Sequence, residues 1–254
     1  MMTTDKQLLR NRFAANFHRY DKLAVVQNEI CGQLSEMIGR NCITRIGRAM
    51  EIGAGTGFLT RRLVQLYPEA RWFVNDLVQQ SMLYIRDYTV NRRAEYLWGD
   101  AETLSFPPQI DLIASASVVQ WFDNLPSFVA RCEETLIPGG YLAFSTFGPD
   151  NFREIRETTG EGLAYYTCQQ LQAILDASGF VTVETLEYTR QLRFETPTDV
   201  LHHIKATGVN SIRPVRWTKQ RLADFSVKYD ALFTSPEGGV TLTYHPILIL
   251  GQKK

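Results

Sequence analysis

From residue 48 onward, short apolar runs alternate with segments whose apolar residues recur every three or four positions. The runs predict strands near 48–53, 71–75, 95–98, 110–116 and 140–146. The intervening segments predict helices near 58–67, 79–90 and 125–136. Strands and helices in regular exchange are typical of a parallel sheet that carries helices on both faces and binds ligands outside the carboxyl ends of its strands. The predicted fold class is therefore α/β, with a Rossmann-like, doubly wound and mostly parallel sheet.

The two ends of the chain carry further helical patterns. Phe13, Phe17 and Tyr20 belong to an apolar repeat that predicts one helix over residues 6–39. Toward the other end, the pattern predicts a helix near 168–178, a β-rich stretch over 180–194, two helices within 195–237 and a last strand over 240–250, bent at Pro246.

These elements predict a single domain over residues 1–254. Its core sheet is expected over 45–194 and 238–254. The N-terminal helix (1–40) and the insertion before the last strand (195–237) are expected to form a helical cap over the strand ends. In this interpretation the N-terminal helix is a lid, and Tyr20 and Gln27 close over the ligand. The alternative for these side chains is simple core packing against the sheet.

Composition narrows the functional classes. Lys and Arg together number 27, as do Asp and Glu, so no global field attracts nucleic acid. The four cysteines have neither the spacing of a zinc site nor that of a disulfide frame. The N-terminal segment lacks the apolar core of a signal peptide, and the run over 246–250 is too short to span a bilayer. We therefore expect a cytoplasmic protein with no metal, no nucleic-acid partner and no membrane partner.

The segment AMEIGAGTGFLT, residues 49–60, is the clearest sign of ligand binding. An apolar lead-in ends at Glu51, and Gly53, Gly55 and Gly57 alternate with small residues before a helical pattern begins. Glycine permits positive φ and leaves room for a ligand against the backbone. The dinucleotide fingerprint needs a third glycine three residues after the second, and this spacing does not match it. The segment instead resembles the first motif, ExGxGxG, of S-adenosylmethionine-dependent methyltransferases.

Two more acids follow predicted strands. Asp76 ends the second strand, where a carboxylate would bind two ribose hydroxyls. Asp100, in the segment WGDAETLSF, resembles the methyltransferase acid that accepts a hydrogen bond from the adenine amino group. The predicted cofactor-binding residues are Glu51, Gly53, Gly55, Gly57, Asp76, Leu77, Asp100, Ala101, Ser117 and Trp121. The alternative is an unrelated α/β domain whose turns happen to carry aspartate.

The end of the fourth strand, ASASVVQWFDN over 114–124, faces the transferable methyl group in methyltransferases of this class. Enzymes that methylate adenine or glutamine amides have an NPPY-like turn there, and residues 118–121 do not match it. Trp121 and Phe122 would instead exclude water and hold the sulfonium by cation–π attraction, worth ~1–2 kcal/mol when desolvated. Packing at the start of a helix is the alternative for Trp121.

Three segments together resemble the malonyl-[acyl-carrier-protein] O-methyltransferases of biotin synthesis. They are SVVQWFDN (117–124), LIPGGYLAFSTFGP (136–149) and HHIKATGVN (202–210), and the resemblance extends from about Phe13 to Gln252. It implies transfer of a methyl group from S-adenosylmethionine to the free carboxylate of a malonyl thioester, with S-adenosylhomocysteine as product. Carboxylic acids titrate near about 4, so this nucleophile needs no general base. Catalysis would then depend on alignment and on exclusion of water.

Side chains that cluster in the predicted cap elements are the candidates for binding the substrate. Tyr20, Lys205 and Asn210 are the candidates for orienting the acceptor carboxylate, and a solvated helix position is the alternative for Lys205. Because acyl carrier protein is acidic, we expect it to dock on the basic segment RPVRWTKQR. The residues proposed for this contact are Arg213, Arg216, Lys219 and Arg221, and an ordinary solvated helix start is the alternative.

Other functions fit part of the pattern. A carboxyl methyltransferase for a free small acid, such as trans-aconitate, would need no carrier-docking face. A quinone carbon methyltransferase would need a base near the acceptor, and His202 and His203 lie in the predicted cap. The alternative outside the enzymes is a regulatory module that binds S-adenosylmethionine, although the complete set of acids argues against loss of activity.

Overall fold

The computed structural model describes residues 5–90, 93–207 and 217–254. The strands within them are β1 Arg48–Ile52, β2 Arg71–Asp76, β3 Arg93–Trp98, β4 Ile110–Ala116, β5 Leu136–Phe147, β6 Phe180–Glu187, β7 Arg190–Phe194, β8 Val240–Tyr244 and β9 Pro246–Lys253. The helices are α1 Lys6–Leu23, α2 Val25–Asn41, α3 Thr60–Leu66, α4 Met82–Thr89, α5 Leu125–Thr135, α6 Arg153–Thr159, α7 Cys168–Ala177, α8 Pro197–Ala206 and α9 Lys219–Phe233.

Seven of these strands form one sheet in the order β3-β2-β1-β4-β5-β9-β6. Neighbours among β1 to β5 pair in parallel, and β9 runs antiparallel to both β5 and β6. The chain builds outward from β1 to β3 and then returns to place β4 on the other side of β1. Open α/β sheets bind ligands at such a switch point. The prediction of an α/β, doubly wound and mostly parallel sheet is confirmed.

Apolar residues at neighbouring positions of the central strands supply the cores on the two faces of the sheet. Ala49, Trp72 and Leu112 belong to one buried cluster, which includes residues of α2 and α3. The residues that follow them, Met50, Phe73 and Ile113, belong to a second cluster with α5 and α7. Successive side chains of a strand point to opposite faces, so strands covered on both faces have near-continuous apolar sequences.

The N-terminal segment differs from the prediction of one helix over residues 6–39. The helix breaks at Ala24, whose φ of −83° and ψ of 48° lie outside the helical region. Ala24 is fully buried, so tertiary packing decides its conformation over its helix propensity. The break gives α1 and α2 different roles: α2 packs against β4, β5 and β9, and α1 packs against α8.

The C-terminal segment also differs from the prediction, which was a single bent strand. β8 pairs with β7 in a separate two-stranded sheet, and only β9, which starts at Pro246, joins the main sheet. The two helices expected within 195–237 are α8 and α9, which contact each other, whereas α6 was not predicted. No helix in the described ranges combines the length and the apolar character that a membrane crossing needs.

Candidate active site

The glycine turn after β1 is held by the end of β2. The backbone N–H groups of Gly53 and Ala54 donate to the carbonyl oxygen of Asn75 at 2.9 and 3.0 Å. Gly53 (φ +71°) and Gly55 (φ +56°) both have positive φ. A Cβ on Gly53 would clash with Val118, whereas a Cβ on Gly55 would meet no atom within 4 Å. Gly55 therefore leaves free space where the turn faces the cleft.

A cleft lies under α1 at the carboxyl ends of β1, β2 and β4, with about 770 Å³ of empty space, part of it open to solvent. The predicted site residues that line it are Tyr20, Gly53, Gly55, Asp76, Leu77, Asp100, Ala101, Ser117 and Trp121. Glu51 lines a smaller adjoining cleft of about 340 Å³. Gly57 lines neither cleft, and it packs against Ile85 and Tyr88 of α4.

One face of α1 forms the wall of the main cleft. Leu9, Phe13, Phe17 and Tyr20 follow one another at helical spacing along this wall. The ring of Phe13 packs edge-on against Trp121, with centroids 6.2 Å apart. The apolar repeat that the sequence analysis noted in this helix therefore faces the cleft, where it excludes water.

Asp76 is fixed by backbone groups on both sides. Its Oδ2 accepts from the N–H of Gly55 and its Oδ1 from the N–H of Val78, both at 2.7 Å. Burial raises the pKa of Asp76 to about 6, and these two hydrogen bonds oppose the rise. A carboxylate oxygen can accept more than one hydrogen bond, so both oxygens retain capacity for ligand hydroxyls.

Glu51 lies on the smaller cleft and is only 1% exposed. Its Oε2 has no hydrogen-bond partner among the described residues, and the same holds for Gln27 Oε1 and Thr56 Oγ1, which line the same cleft. Burial raises the pKa of Glu51 to about 8, and the Asp76 carboxyl acts in the same direction. Buried acceptors without partners indicate a ligand that brings donors, such as an ammonium group.

The loop after β3 carries Asp100 and is tied to the lid. Asp100 Oδ1 accepts from the N–H of Glu102 at 3.0 Å. Lys6, on α1, lies 2.6 Å from Glu102 Oε2 and 3.6 Å from Asp100 Oδ1. The Lys6 ammonium also lies 5.2 Å from the ring centroid of Phe122. Phe122 thus already holds a cation, so Trp121 is the better candidate for the predicted sulfonium contact.

Ser117, at the end of β4, has an unusual backbone. Its φ of 57° lies in the left-handed region, which costs a non-glycine residue of order 1–3 kcal/mol. Its N–H donates to Ser145 Oγ at 2.9 Å, and Gln120 Nε2 donates to its carbonyl oxygen at 2.7 Å. Such strain persists where the surroundings enforce it, and it concentrates at functional sites.

The three residues predicted to orient the acceptor have different positions. Tyr20 lines both clefts, and burial raises the pKa of its hydroxyl. Lys205 is exposed on α8 and lines neither cleft. Asn210 lies outside the described residues. Of the two that the structure describes, Tyr20 lies at the clefts and Lys205 does not.

A chain of polar side chains that the sequence did not predict lies behind the smaller cleft. Tyr244, fully buried on β8, lies 2.8 Å from His203 Nε2. Burial raises the pKa of its hydroxyl, and the side chains of Gln27 and Thr207 act in the opposite direction. Burial lowers the pKa of His203 to about 4, so the imidazole is neutral at pH 7. These side chains come from α2, α8 and β8, and no sequence pattern indicates that they meet.

The predicted carrier-docking residues are only partly described. Arg213 and Arg216 lie outside the described residues. Lys219 and Arg221 are exposed in the first turn of α9. Arg221 lies 3.6 Å from Glu161 and stacks on the Trp217 ring at 5.7 Å.

Comparisons with known proteins agree with this geometry. The family model of the methyltransferase domain matches residues 50–144. The crystal structure of the YcgJ protein of Bacillus subtilis superposes with a TM-score of 0.64 at 15% identity, over 88% of this chain and 99% of that one. Haemonchus contortus phosphoethanolamine N-methyltransferase 2, solved with S-adenosylmethionine, gives a TM-score of 0.54 at 16% identity, over 87% of this chain and 52% of that one. At these identities the likeness shows the fold.

The sheet, the glycine turn and the matching family define the protein as an S-adenosylmethionine-dependent methyltransferase. Its sequence is 36% identical to the malonyl-[acyl-carrier protein] O-methyltransferase of Acinetobacter baylyi, over 98% of this chain and 97% of that one. It is 38% identical to the enzyme of that name from Bacteroides fragilis, over 99% of this chain. The chain belongs to the malonyl-[acyl-carrier protein] O-methyltransferase family. It spans about half (51%) of the Bacteroides fragilis relative's length.

Proposed function

We propose that the protein methylates the free carboxylate of a malonyl thioester on acyl carrier protein, using S-adenosylmethionine, and so begins pimeloyl synthesis in the biotin pathway. The observation that carries this proposal is identity of 36% to a relative of that name over nearly the full length of both chains. The products would be the malonyl methyl ester and S-adenosylhomocysteine. Because the carrier-bound substrate is cytoplasmic, we expect the protein to act in the cytoplasm.

The side chains at the two clefts fit the parts of the cofactor. The backbone-held carboxylate of Asp76 would accept from the ribose hydroxyls, and Asp100 from the adenine amino group. The partnerless oxygens of Glu51 and Gln27 would accept from the ammonium group. Gly55 leaves space for the cofactor against the turn. When bound, S-adenosylmethionine supplies a methyl group on a sulfonium to a nucleophile.

The chain's own contribution to the reaction would be positioning and exclusion of water. An ionised acceptor carboxylate needs no general base. Phe13 and Trp121 supply an apolar wall, and a dry site strengthens the attraction between anion and sulfonium. We propose that Tyr20 orients the carboxylate beneath a cap formed by α1, α8 and α9. Asn210 remains a prediction, and so does Lys205, whose exposed position does not support a direct contact.

The quinone alternative would need a basic side chain beside the acceptor. Among the side chains that the structure describes, no histidine lines either cleft. His202 is exposed, and His203 is already paired with Tyr244. These positions favour the carboxylate acceptor, which needs no base.

Labelled methyl transfer tests the proposal. Wild-type protein incubated with methyl-labelled S-adenosylmethionine and malonyl-acyl-carrier protein should place base-labile label on the carrier. Asp76→Ala should lose most of this transfer, because its carboxylate would no longer bind the ribose. Absence of label from the carrier, in a preparation that binds S-adenosylhomocysteine, would contradict the proposed acceptor.

A further inference from the structure

Seven exposed cations on the described surface form ion pairs with acids. They are Arg40, Arg71, Arg86, Arg190, Arg193, Arg221 and Lys254. Among the exposed cations without an ion pair, one group lies on α1 and α8. Arg10, Arg19, Lys22 and Lys205 are exposed and make no ion pair within the described residues. We call these four residues the lid–cap cations.

The lid–cap cations lie on two helices that contact each other, α1 and α8. The sequence of α1 contains five cations and one acid. Its apolar face is turned toward the cleft, and at 3.6 residues per turn Arg19 and Lys22 lie on the opposite side of the helix from Phe13. The outer surface of the lid is therefore strongly positive in a chain whose charges balance overall.

Concentrated like charges repel one another and so are a cost to the free protein. They are useful where a partner of opposite charge binds, since complementary fields raise association rates and fix the docking orientation. Acyl carrier proteins are acidic, and a tethered substrate must enter close to where its carrier docks. The lid lies directly over the cleft, so a carrier bound there could deliver its acyl arm past α1.

A membrane surface is the other common partner of a basic helix. Helices that bind bilayers insert an apolar face next to their cations. In α1 that face is occupied, because Leu9, Phe13, Phe17 and Tyr20 line the cleft. Because α1 carries this charge but has no free apolar face to insert into a bilayer, its partner is better explained as an acidic protein than as a membrane.

We propose that the outward face of α1, together with Lys205 of α8, is the docking surface for the acidic carrier protein. This inference rests on the proposed function. It gives Lys205 a role that fits its exposure. A carrier bound there would also hold the lid over the cleft while the thioester is in place.

Charge reversal on the lid tests the inference. The variant is Arg19→Glu/Lys22→Glu, and the matched control is Arg45→Glu/Arg93→Glu. Both control residues are exposed, make no ion pair within the described residues and lie near the amino ends of β1 and β3, at the opposite edge of the sheet. Methyl transfer is measured with malonyl-acyl-carrier protein and with malonyl-pantetheine, which lacks the carrier.

The lid variant should lower kcat/KM for the carrier substrate about tenfold or more, as expected for loss of steering by charge. Its kcat/KM for malonyl-pantetheine should stay within about twofold of wild type, and the control should stay within about twofold on both substrates. Binding of S-adenosylhomocysteine should be unchanged in both variants, which checks folding.

Equal losses on the two substrates would overturn the inference, as would equal losses in the lid and control variants. A membrane partner is indicated instead if wild type binds phosphatidylglycerol vesicles, the lid variant does not, and the kinetics with the carrier substrate are the same for both. Failure of the proposed function would give a different result, because in that case wild-type protein would not methylate malonyl-acyl-carrier protein at all.

Discussion

The side-chain amide of Asn75 donates a hydrogen bond to the carbonyl oxygen of Gly99 at 3.0 Å. The same nitrogen donates to the main-chain carbonyl oxygen of Leu97 at 2.8 Å. The main-chain carbonyl oxygen of Asn75 accepts from the N–H of Gly53 at 2.9 Å. One buried residue at the end of β2 therefore joins the glycine turn to the loop that carries Asp100.

Replacing Asn75, which itself lines the main cleft, with alanine should loosen the Asp100 loop. Two partly buried carbonyl groups, those of Leu97 and Gly99, would lose this donor, and the loss of a donor to a fully buried carbonyl costs about 1–3 kcal/mol. We expect affinity for S-adenosylhomocysteine to fall about tenfold. The variant should also lose most of the wild-type preference for S-adenosylhomocysteine over S-inosylhomocysteine, which lacks the adenine amino group. Calorimetry with both ligands measures this, and weaker binding with the preference intact would reduce Asn75 to a general structural role.

Glu51 should make the stability of the ligand-free protein depend on pH. Its pKa is raised to about 8 in the folded state, above its ordinary value near about 4.3, so the folded protein holds a proton that the unfolded chain has released. The stability from this proton is complete below the ordinary value and is lost as pH rises toward about 8. Glu51→Gln removes this pH dependence of stability. The Tm of the variant should therefore rise relative to that of wild type as the pH increases from about 5 to about 8. Thermal melts of both proteins without ligand test this, and parallel curves would refute it.

The two glycines of the turn should respond differently to alanine. Gly55→Ala places its methyl group in free space within the cleft, so the fold should survive with a modest strain of about 1–2 kcal/mol from positive φ. Its affinity for S-adenosylhomocysteine should fall at least about tenfold, because a total loss of about 1.4 kcal/mol of binding free energy is enough for that change. Gly53→Ala clashes with Val118 and should lower Tm well below that of Gly55→Ala. Normal cofactor binding by Gly55→Ala would mean that the cofactor does not lie against this turn.

Lys6 should slow escape of the bound cofactor. It joins the first turn of α1 to Glu102, on the loop that lines the cleft. Lys6→Met keeps the length of the side chain but removes the ion pair, so we expect a faster dissociation rate of S-adenosylhomocysteine with little change in Tm. Stopped-flow displacement measures the rate, and Arg45→Met, at an exposed position remote from the lid, is the control. If both variants release ligand at the wild-type rate, α1 is not a barrier to exit.

Sequence predicted the parts of the site that local pattern determines. Continuous apolar runs mark buried parallel strands, so β1 and β4 lie within one residue of their predicted ranges. Because parallel strands end at the same edge of a sheet, Asp76 and Asp100 could be assigned to one site, and both line the main cleft.

The remaining features depend on contacts between distant segments. Nothing local marks Ala24 as a helix break, since alanine favours helix, and the break lies at a fully buried position. The left-handed backbone of Ser117 is imposed by its neighbours in the fold, including Ser145. Lys205 belongs to the segment HHIKATGVN, which predicted a substrate contact. Whether its side chain faces the cleft depends on how α8 packs, and in the structure it is exposed.

The central claim is carboxyl methylation of a carrier-bound malonyl group, and intact-mass analysis of a competition mixture tests it most directly. The protein would be incubated with S-adenosylmethionine, malonyl-acyl-carrier protein, malonyl-coenzyme A and trans-aconitate together. We expect the malonyl carrier to gain one methyl group that mild ester hydrolysis removes, ahead of any change in trans-aconitate. Methylation of trans-aconitate alone, or of none of the three, would contradict the account.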